Sequence, residues 1–424
     1  MALSRMFWSV RARTMARAPA RVATLAWRAT ASATFPLPAC CEGGSMRLWA
    51  RMRTPLVSMM GAFALYLPKG VLEPLIPPEN PLTAEKVALG KRLYFDKRLS
   101  ADGTVSCASC HDPLRGFADG KAVATGIRNQ AGARNSPTVL YAGFSEVQFW
   151  DGRAPSLEEQ AKQPLINPVE MGQPSHDAVV KAVASIADYP PLFAKAFGTP
   201  EVTIDRIVQA IASFERTLAP FSSPFDRFLA GDKSAISDAA KRGFQLFQGK
   251  ARCVTCHEFN ASFPFFTDNK FHNIGVAMKG NFEQLAREAQ ALQTRRDREA
   301  ESSLAHKPGV EALGRWIVTR EAKDIGAFKT PGLRNVALTA PYMHDGSLQT
   351  LEEVMDFYNR GGEPNPNLDG GMRPLDLTRE EIADIIEFMK SLTDENGGKN
   401  FDWEELKELS RKTRAAELVA APVP

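Results

Sequence analysis

Four of the six cysteines in the chain lie in two copies of one short motif, and this pair restricts the fold more than any other feature. The copies are "CASCH" (Cys107, Cys110, His111) and "CVTCH" (Cys253, Cys256, His257). Two thiols about one helical turn apart can add to the vinyl groups of haem, while the adjoining histidine binds the iron. A zinc site or a redox dithiol fits poorly, because the motifs lie far apart in the chain and both end in histidine. The pattern predicts two covalently attached c-type haems.

The sequence around the two motifs reads as a duplication. A Gly-x-x-Leu-aromatic helix precedes each motif, and each copy closes on an amphipathic helix, "IVQAIASFERTL" or "IADIIEFMKSL". The corresponding residues are Gly90 and Gly243, Leu93 and Leu246, Tyr94 and Phe247, Ile211 and Ile385, Phe214 and Phe388, and Leu218 and Leu392. Strand signals are sparse, so we expect a mainly α fold. It would comprise two tandem cytochrome c-like helical domains, each carrying one covalently attached haem c.

The chain divides into a leader, two haem domains and a tail. We predict a leader at 1–64 with a signal peptide at 46–64, a first haem domain at 70–222, a second at 226–400, and a tail at 401–424. The domains would meet near "APFSSPFD", a stretch rich in proline and serine. A charged segment at 279–306 is expected to form a surface helix inserted in the second copy, with a solvated face.

The leader is rich in arginine, whereas the rest of the chain is mildly acidic, which argues against a nucleic-acid partner. Arg47, Arg51 and Arg53 precede the apolar run "TPLVSMMGAFAL", which contains a small-residue cleavage site typical of a secretory signal. Translation would then start at Met46 or Met52. A transit peptide or an extension would also suit residues 1–45, and the apolar run is too short for a membrane anchor.

The helix after the second motif carries two candidates for the other axial position of that iron. It begins at the capping box "TLEE" and turns Met355 and Tyr358 inward. Core packing suits Met355 better than ligation, whereas for Tyr358 ligation and a buried, hydrogen-bonded tyrosine are about equally favoured. Met343 and His344, in the preceding loop, would lie against the haem, where the histidine can also bond a propionate.

The first copy has no comparable ligand. The repeat places Pro164 where Tyr358 stands, and residues 112–160 contain neither histidine nor methionine. A vacant axial position lets a small oxidant reach the iron, which favours an enzyme over an electron carrier. If the oxidant is peroxide, Glu170 and Gln160 are candidates to move a proton and to polarise the departing oxygen. Without a haem they would be a surface glutamate and a helix-face glutamine.

Longer stretches carry a family resemblance. "RNSPTVL", "QFWDGRAPSLEEQAKQPLINPVEMG", "FTDNKFHNIGV" and "TPGLRNVALTAPYMHDG" resemble the bacterial di-haem cytochrome c peroxidase and MauG family. The resemblance implies a periplasmic enzyme with a peroxidatic haem in the N-terminal domain and an electron-transfer haem in the C-terminal one. It places Glu170 and Gln160 in the distal pocket.

The same resemblance assigns further residues. Trp150 would lie between the haems and carry an electron or hole, although a plain core aromatic is the alternative. His272 would bond a haem edge or propionate, or pack structurally. Asn135, with the backbone carbonyls of Thr339 and Pro341, would form an inter-domain calcium site, since Ca²⁺ prefers oxygen ligands.

Two departures from the family pattern affect function. Many such peroxidases have a capping histidine in the loop that reads "TGIRNQ" here, so we expect a site that is open without prior reduction. Tyr358 falls where they have a methionine ligand, as in MauG; an anionic tyrosinate would stabilise ferric iron. Met343 would be the ligand in the alternative case.

The leading hypothesis is a peroxidase that reduces hydrogen peroxide at the His111 haem. Electrons would arrive through the His257 haem from a small cytochrome c, a cupredoxin or an oxidisable protein. The alternatives are MauG-like oxidation of residues in a partner protein, and a di-haem electron carrier or redox sensor without turnover. A homodimer is left open. His176 and His306 are expected to face solvent.

Overall fold

The computed structural model describes residues 63–294 and 301–420, with the side chains of 415–420 excepted. The predicted signal peptide lies outside these residues, apart from its last two positions. The described part of the chain is mainly helical, as expected, and none of its helices is long and apolar enough to cross a membrane.

The α-helices are α1 (Ala84–Phe95), α2 (Cys107–Cys110), α3 (Leu157–Ile166), α4 (His176–Ala184), α5 (Tyr189–Phe197), α6 (Ile204–Thr217), α7 (Pro224–Leu229), α8 (Asp238–Gln248), α9 (Phe282–Thr294), α10 (Glu301–Leu304), α11 (Trp316–Thr319), α12 (Leu351–Asn359), α13 (Arg379–Ser391) and α14 (Trp403–Ala420). Short 3₁₀ turns connect many of them. The strands β1 (Phe271–His272) and β2 (Phe328–Lys329) pair antiparallel, with Phe271 opposite Lys329.

The same helix crossing builds both copies. In the first copy α1 packs on α6, and a Cβ placed on Gly90 would lie 1.8 Å from the carbonyl oxygen of Ala210. In the second copy α8 packs on α13, and a Cβ on Gly243 would lie 1.9 Å from the carbonyl oxygen of Asp384. Only glycine lets the two backbones approach so closely, which explains the shared Gly-x-x-Leu-aromatic pattern.

Each crossing is sealed by an apolar core. The first core includes Leu93, Tyr94, Ile211, Phe214 and Leu218. The second includes Phe247, Ile385, Phe388 and Leu392. The residues paired by the repeat therefore occupy equivalent positions, except that Leu246 is only partly buried at the edge of the second core.

The C-terminal region folds back on the first copy. Trp403 and Leu406 of α14 belong to the first core, and the Trp403 indole donates a hydrogen bond to the Pro113 carbonyl at 2.8 Å. Further along α14, Ser410 and Arg414 bond Asp112, which follows the first motif directly. The predicted tail thus contains a helix that braces the first haem motif; the predicted domain boundaries stay a prediction.

The inserted segment forms a surface helix, as expected: Glu283 and Arg287 of α9 are exposed, while the opposite face of the helix is buried. Leu285 and Ala289 of α9 are buried with Leu304 and Trp316 in a third apolar core. Residues just after the segment contact the first copy: the Arg134 guanidinium donates to the Glu311 carbonyl at 2.7 Å, and Arg315 donates to the Asp151 carbonyl at 2.9 Å.

We predict that Gly90→Ala and Gly243→Ala each destabilise the protein by roughly 1–3 kcal/mol or more, because the added methyl group meets backbone that cannot move aside. Thermal or denaturant unfolding would measure the loss. Gly370→Ala is the control, since nothing lies within 4 Å of a Cβ at Gly370. If all three variants were equally stable, the two helix pairs could move apart at the crossing without loss of stability.

Candidate functional site

The first motif presents a histidine with a fixed ring. Cys107 and Cys110 lie at the two ends of α2, both as free thiols, and His111 caps the helix. The Nδ1 atom of His111 is 2.9 Å from the Pro137 carbonyl oxygen, which can only accept a hydrogen bond. Nδ1 therefore carries the proton, and Nε2 keeps the lone pair that binds iron. The Tyr94 hydroxyl also donates to the His111 carbonyl at 2.9 Å.

The second motif repeats this arrangement. Cys253 and Cys256 are free thiols on and just after a 3₁₀ turn, and Nδ1 of His257 lies 2.9 Å from the Phe266 carbonyl oxygen. Burial lowers the pKa of both His111 and His257, which keeps the imidazoles neutral, the form that binds metal. These thiols and imidazoles fit covalent haem.

A largely apolar cavity lies at the second motif. Its lining includes Cys253, Cys256, His257, Met343, His344 and Tyr358. The cavity continues to Trp150 and Asn135 of the first copy. A space bounded by both thiols, the histidine and apolar side chains is what a haem requires.

Tyr358, Met343 and Met355 all line this cavity, but Met355 is 3% exposed and also belongs to the second core. Among the described residues, the Tyr358 hydroxyl makes no hydrogen bond. Burial and the nearby thiols of Cys253 and Cys256 raise the pKa of Tyr358, which favours its neutral phenol form. Either Tyr358 or Met343 can serve as a ligand, and the choice stays a prediction.

The two other histidines at this cavity differ in character. His272 lies between two carboxylates, with Nδ1 2.7 Å from Asp369 and Nε2 2.9 Å from Asp268. Burial alone would lower its pKa, but these hydrogen bonds raise it. His344 is buried and stacks on Phe328 at 3.6 Å between ring centroids; burial lowers its pKa far below the usual value. His272 thus favours the charged form and His344 is neutral.

Trp150 joins the two copies. Its indole nitrogen donates to the Asn135 carbonyl at 2.9 Å, and its own carbonyl accepts from the Lys329 amide at 2.8 Å. The Lys329 side chain also lines the cavity, where burial lowers the pKa of its amine to about 8. Sequence reasoning missed this lysine, because nothing local indicates burial.

The groups predicted to bind calcium, one side chain and two backbone carbonyls, come together in part. Asn135 is buried, and its amide nitrogen donates to the carbonyls of Lys121 at 2.8 Å and Pro341 at 3.3 Å. Within the described ranges, no cluster of three or more His, Cys, Asp or Glu residues could hold a metal ion. The calcium prediction remains untested.

The "TGIRNQ" loop lies between the first motif and Glu170. The Cys110 sulfur is 3.8 Å from the Thr125 carbonyl oxygen, and the Ile127 amide donates to the Glu170 carbonyl at 2.9 Å. The Gln130 side chain adds a bond to the Pro168 carbonyl at 3.1 Å. The loop is therefore fastened to the segment that carries Glu170.

Glu170 is held as a carboxylate. Burial alone would raise its pKa, but a hydrogen bond from His306 and the charge of Arg153 give a net lowering. Gln160, on α3, is half-buried. Pro164 lies inside α3 at the place that Tyr358 occupies in α12, as the repeat predicts.

The expectation that His306 and His176 face solvent is wrong. Both are half-buried: Nε2 of His306 lies 2.8 Å from a Glu170 carboxylate oxygen, and Nε2 of His176 lies 3.1 Å from the Lys162 carbonyl oxygen. His306 and Glu170 are far apart in the chain, so no local pattern could have paired them.

Comparison with known proteins agrees with this arrangement. A model of the di-haem cytochrome c peroxidase family matches residues 84–234. The methylamine utilization protein MauG of Methylorubrum extorquens is 43% identical over 74% of this chain and 80% of its own length. The cytochrome c551 peroxidase of Nitrosomonas europaea is 37% identical over 80% of this chain and 92% of its own.

Solved structures give the same result. A MauG-like protein associated with microbial copper homeostasis superposes with a TM-score of 0.67 at 34% identity, covering 79% of this chain and 97% of that one. The diheme peroxidase BthA of Burkholderia thailandensis gives 0.59 at 26% identity, covering 76% and 90%. The fold and its motifs are those of di-haem peroxidases, oxidoreductases with two c-type haems. The chain belongs to the di-haem cytochrome c peroxidase and MauG family.

Glu215 is a further residue that sequence reasoning missed. It lies on α6 at the place that Met389, a residue lining the cavity, occupies on α13. It is 5% exposed, and one of its carboxylate oxygens has no partner. Burial raises its pKa to about 8, so it is a neutral acid at neutral pH. The sequence feature that could have revealed Glu215 is a charged residue between the apolar positions Phe214 and Leu218.

We predict that Glu215 destabilises the protein as the pH rises. The folded state keeps the proton up to about pH 8, whereas the unfolded state loses it near the ordinary value of 4.5. Unfolding therefore becomes more favourable across this range. Thermal unfolding should show the Glu215→Gln variant gaining stability over the natural protein as the pH rises through this window. If the difference in stability between the variant and the natural protein did not change with pH, Glu215 would be ionised in the folded state.

Proposed function

We propose that the protein is a periplasmic di-haem peroxidase that reduces hydrogen peroxide to water at the haem held by His111. Electrons arrive through the haem held by His257, supplied by a small cytochrome c, a cupredoxin or an oxidisable protein. The arginine-rich leader with its apolar run supports export. The observation that carries the proposal is the half-buried carboxylate of Glu170 near the first motif, hydrogen-bonded to His306.

Three observations support peroxide chemistry at the first motif. Burial of the Cys110 thiol raises its pKa to about 12, and the negative charge of Glu170 adds to this rise, as expected of a carboxylate near the motif. The loop from Thr125 to Gln130 lies between them and contains no histidine or methionine that could cap an iron. Pro164 replaces the tyrosine of the second copy, so α3 offers no ligand at that position.

The bound haem supplies the iron at which peroxide is reduced. Glu170 takes the proton from one peroxide oxygen and returns it to the departing one, which leaves as water. Gln160 donates a hydrogen bond that polarises the departing oxygen. Trp150, bonded to both copies, lies where an electron can pass between the two motifs. The loop without histidine leaves the site open in the fully oxidised enzyme.

Calcium is proposed at Asn135 with the carbonyls of Thr339 and Pro341. Support comes from the burial of Asn135 and its approach to the Pro341 carbonyl. Turning the side-chain amide over would present its oxygen in place of its nitrogen, as a cation requires. The ion would then lie beside Trp150, whose indole bonds the Asn135 carbonyl.

Tyr358 favours a second candidate function, MauG-like oxidation of residues in a partner protein. It lines the cavity of the second motif, where an anionic oxygen would lower the reduction potential of that iron. A low potential suits an enzyme whose oxidising equivalents are shared by both haems and drawn from a substrate at a distance. A thioether from Met343 would instead suit plain peroxidase activity.

The Glu170→Gln variant tests the peroxidase proposal. We expect peroxide turnover by the fully oxidised enzyme to fall by at least about 100-fold, because the amide cannot accept the proton. Both haems should remain bound, as judged by absorption spectra. Glu159→Gln is the control, since Glu159 is an exposed residue of α3 paired only with Lys162. Full activity of the Glu170 variant would remove this residue from the mechanism.

The ligand of the second iron can be identified by two matched variants. We expect Tyr358→Phe to abolish one low-spin signal in the electron paramagnetic resonance spectrum of the oxidised protein. Met343→Leu should leave that signal in place. The reverse result would assign the iron to Met343 and favour the plain peroxidase.

A further inference from the structure

We propose that His306 positions Glu170 and supplies its protons, an inference that rests on the proposed peroxidase function. His306 follows α10 in the inserted segment of the second copy, and Glu170 follows α3 in the first. The Nε2 atom of His306 lies 2.8 Å from one carboxylate oxygen of Glu170. Residues from both copies thus meet on the peroxide side of the first motif.

The ring of His306 is oriented for proton exchange. Its Nδ1 atom lies 2.7 Å from the Ser302 carbonyl oxygen, which can only accept, so Nδ1 carries a proton. Nε2 is then the nitrogen that gains or loses a proton. When protonated, it donates to Glu170. When unprotonated, it accepts from the Asn167 amide nitrogen, which lies 3.0 Å away.

The orientation of the Asn167 amide is itself fixed. Its side-chain oxygen accepts a hydrogen bond from the Val169 amide at 2.9 Å, which leaves the nitrogen facing His306. Both protonation states of His306 therefore have a partner without movement of the ring. A histidine that only needed to be buried would not require two alternative partners at one nitrogen.

Residues that follow His306 along the chain are hydrogen-bonded to the first copy. Arg134 of the first copy bonds the Glu311 carbonyl, and Arg315 bonds the carbonyls of Asp151 and Gly152. On its other side, His306 lies at the edge of the surface: Ala305 is buried, whereas positions 308 and 309 are exposed. The His306 side chain is itself partly exposed, so His306 connects the half-buried Glu170 carboxylate with solvent.

The stoichiometry of the reaction requires such a connection. Reduction of one peroxide to two waters consumes two electrons and two protons. Glu170 can move the peroxide's own proton from one oxygen to the other, but each further proton must come from elsewhere. His306 donates it from Nε2 to Glu170 and recovers it from solvent. Arg153, the other cation whose charge acts on Glu170 from the first copy, stays protonated and supplies none.

Two substitutions separate the positioning role from the proton supply. His306→Phe removes both, whereas His306→Gln keeps an amide near the place of Nε2 that can donate to Glu170 but cannot carry a proton. His176→Gln is the matched control, a half-buried histidine that bonds the Lys162 carbonyl instead. Unchanged haem content and ferric absorption spectra would show that each variant is folded.

Positioning is read from cyanide association, which needs no peroxide turnover. Hydrogen cyanide binds ferric haem as the anion, so a nearby base must take up its proton. We expect His306→Phe to slow association on the order of 10-fold, and His306→Gln to restore it, since the amide again orients the carboxylate. Association at the natural rate in His306→Phe would overturn the positioning role.

Proton supply is read from steady-state peroxide turnover in light and heavy water. Both His306 variants should turn over on the order of 10-fold to 100-fold more slowly, with a larger solvent isotope effect than the natural protein. If His306→Gln had the same turnover rate and the same solvent isotope effect as the natural protein, His306 would not be the source of the protons. If the natural protein itself does not turn over peroxide, the proposed function fails, while the cyanide result still decides whether His306 positions Glu170.

Discussion

One hydrogen bond in each copy, from the motif histidine to a backbone carbonyl, governs the rest of the structure. The Pro137 carbonyl fixes the ring of His111, and the Phe266 carbonyl fixes that of His257. Each bond selects the tautomer that leaves the Nε2 lone pair free to bind iron. The glycine-dependent helix crossings and the apolar cores keep these carbonyls and the cysteine-bearing turns in register, so both copies can hold the same cofactor.

The two copies differ on the opposite side of the cofactor. In the second, α12 delivers Tyr358 to the cavity, and Met343 approaches from the loop before it. In the first, the matching helix carries Pro164, and Glu170, in the segment that follows this helix, is hydrogen-bonded to His306. Under the proposed function, this single difference in a duplicated helix would separate a site with protein ligands on both faces from one that admits a small oxidant.

Much of this organisation could be predicted from the sequence, because it is written in local patterns. The motif spacing, the capping residues of α3 and α12, and the glycines of the two crossings all act over a few residues. The pairing of His306 with Glu170 joins positions on opposite sides of the second motif, and His306 lies within an insertion, so no periodicity reveals it. Glu215 is similar, since its burial depends on which face of α6 meets the first core.

Neither face of the first haem motif is completed by the first copy alone. On the side of His111, the following residue Asp112 is bonded by α14, which comes after the whole second copy. On the opposite side, Glu170 is bonded by His306 from the insertion within that copy. The pocket in which peroxide would react is therefore assembled only when the second copy and the C-terminal helix have docked. Loss of either contact would leave a buried carboxylate without its partner, which is costly in an apolar setting. The duplicated halves consequently share one energetic unit around the first motif, although each has its own core.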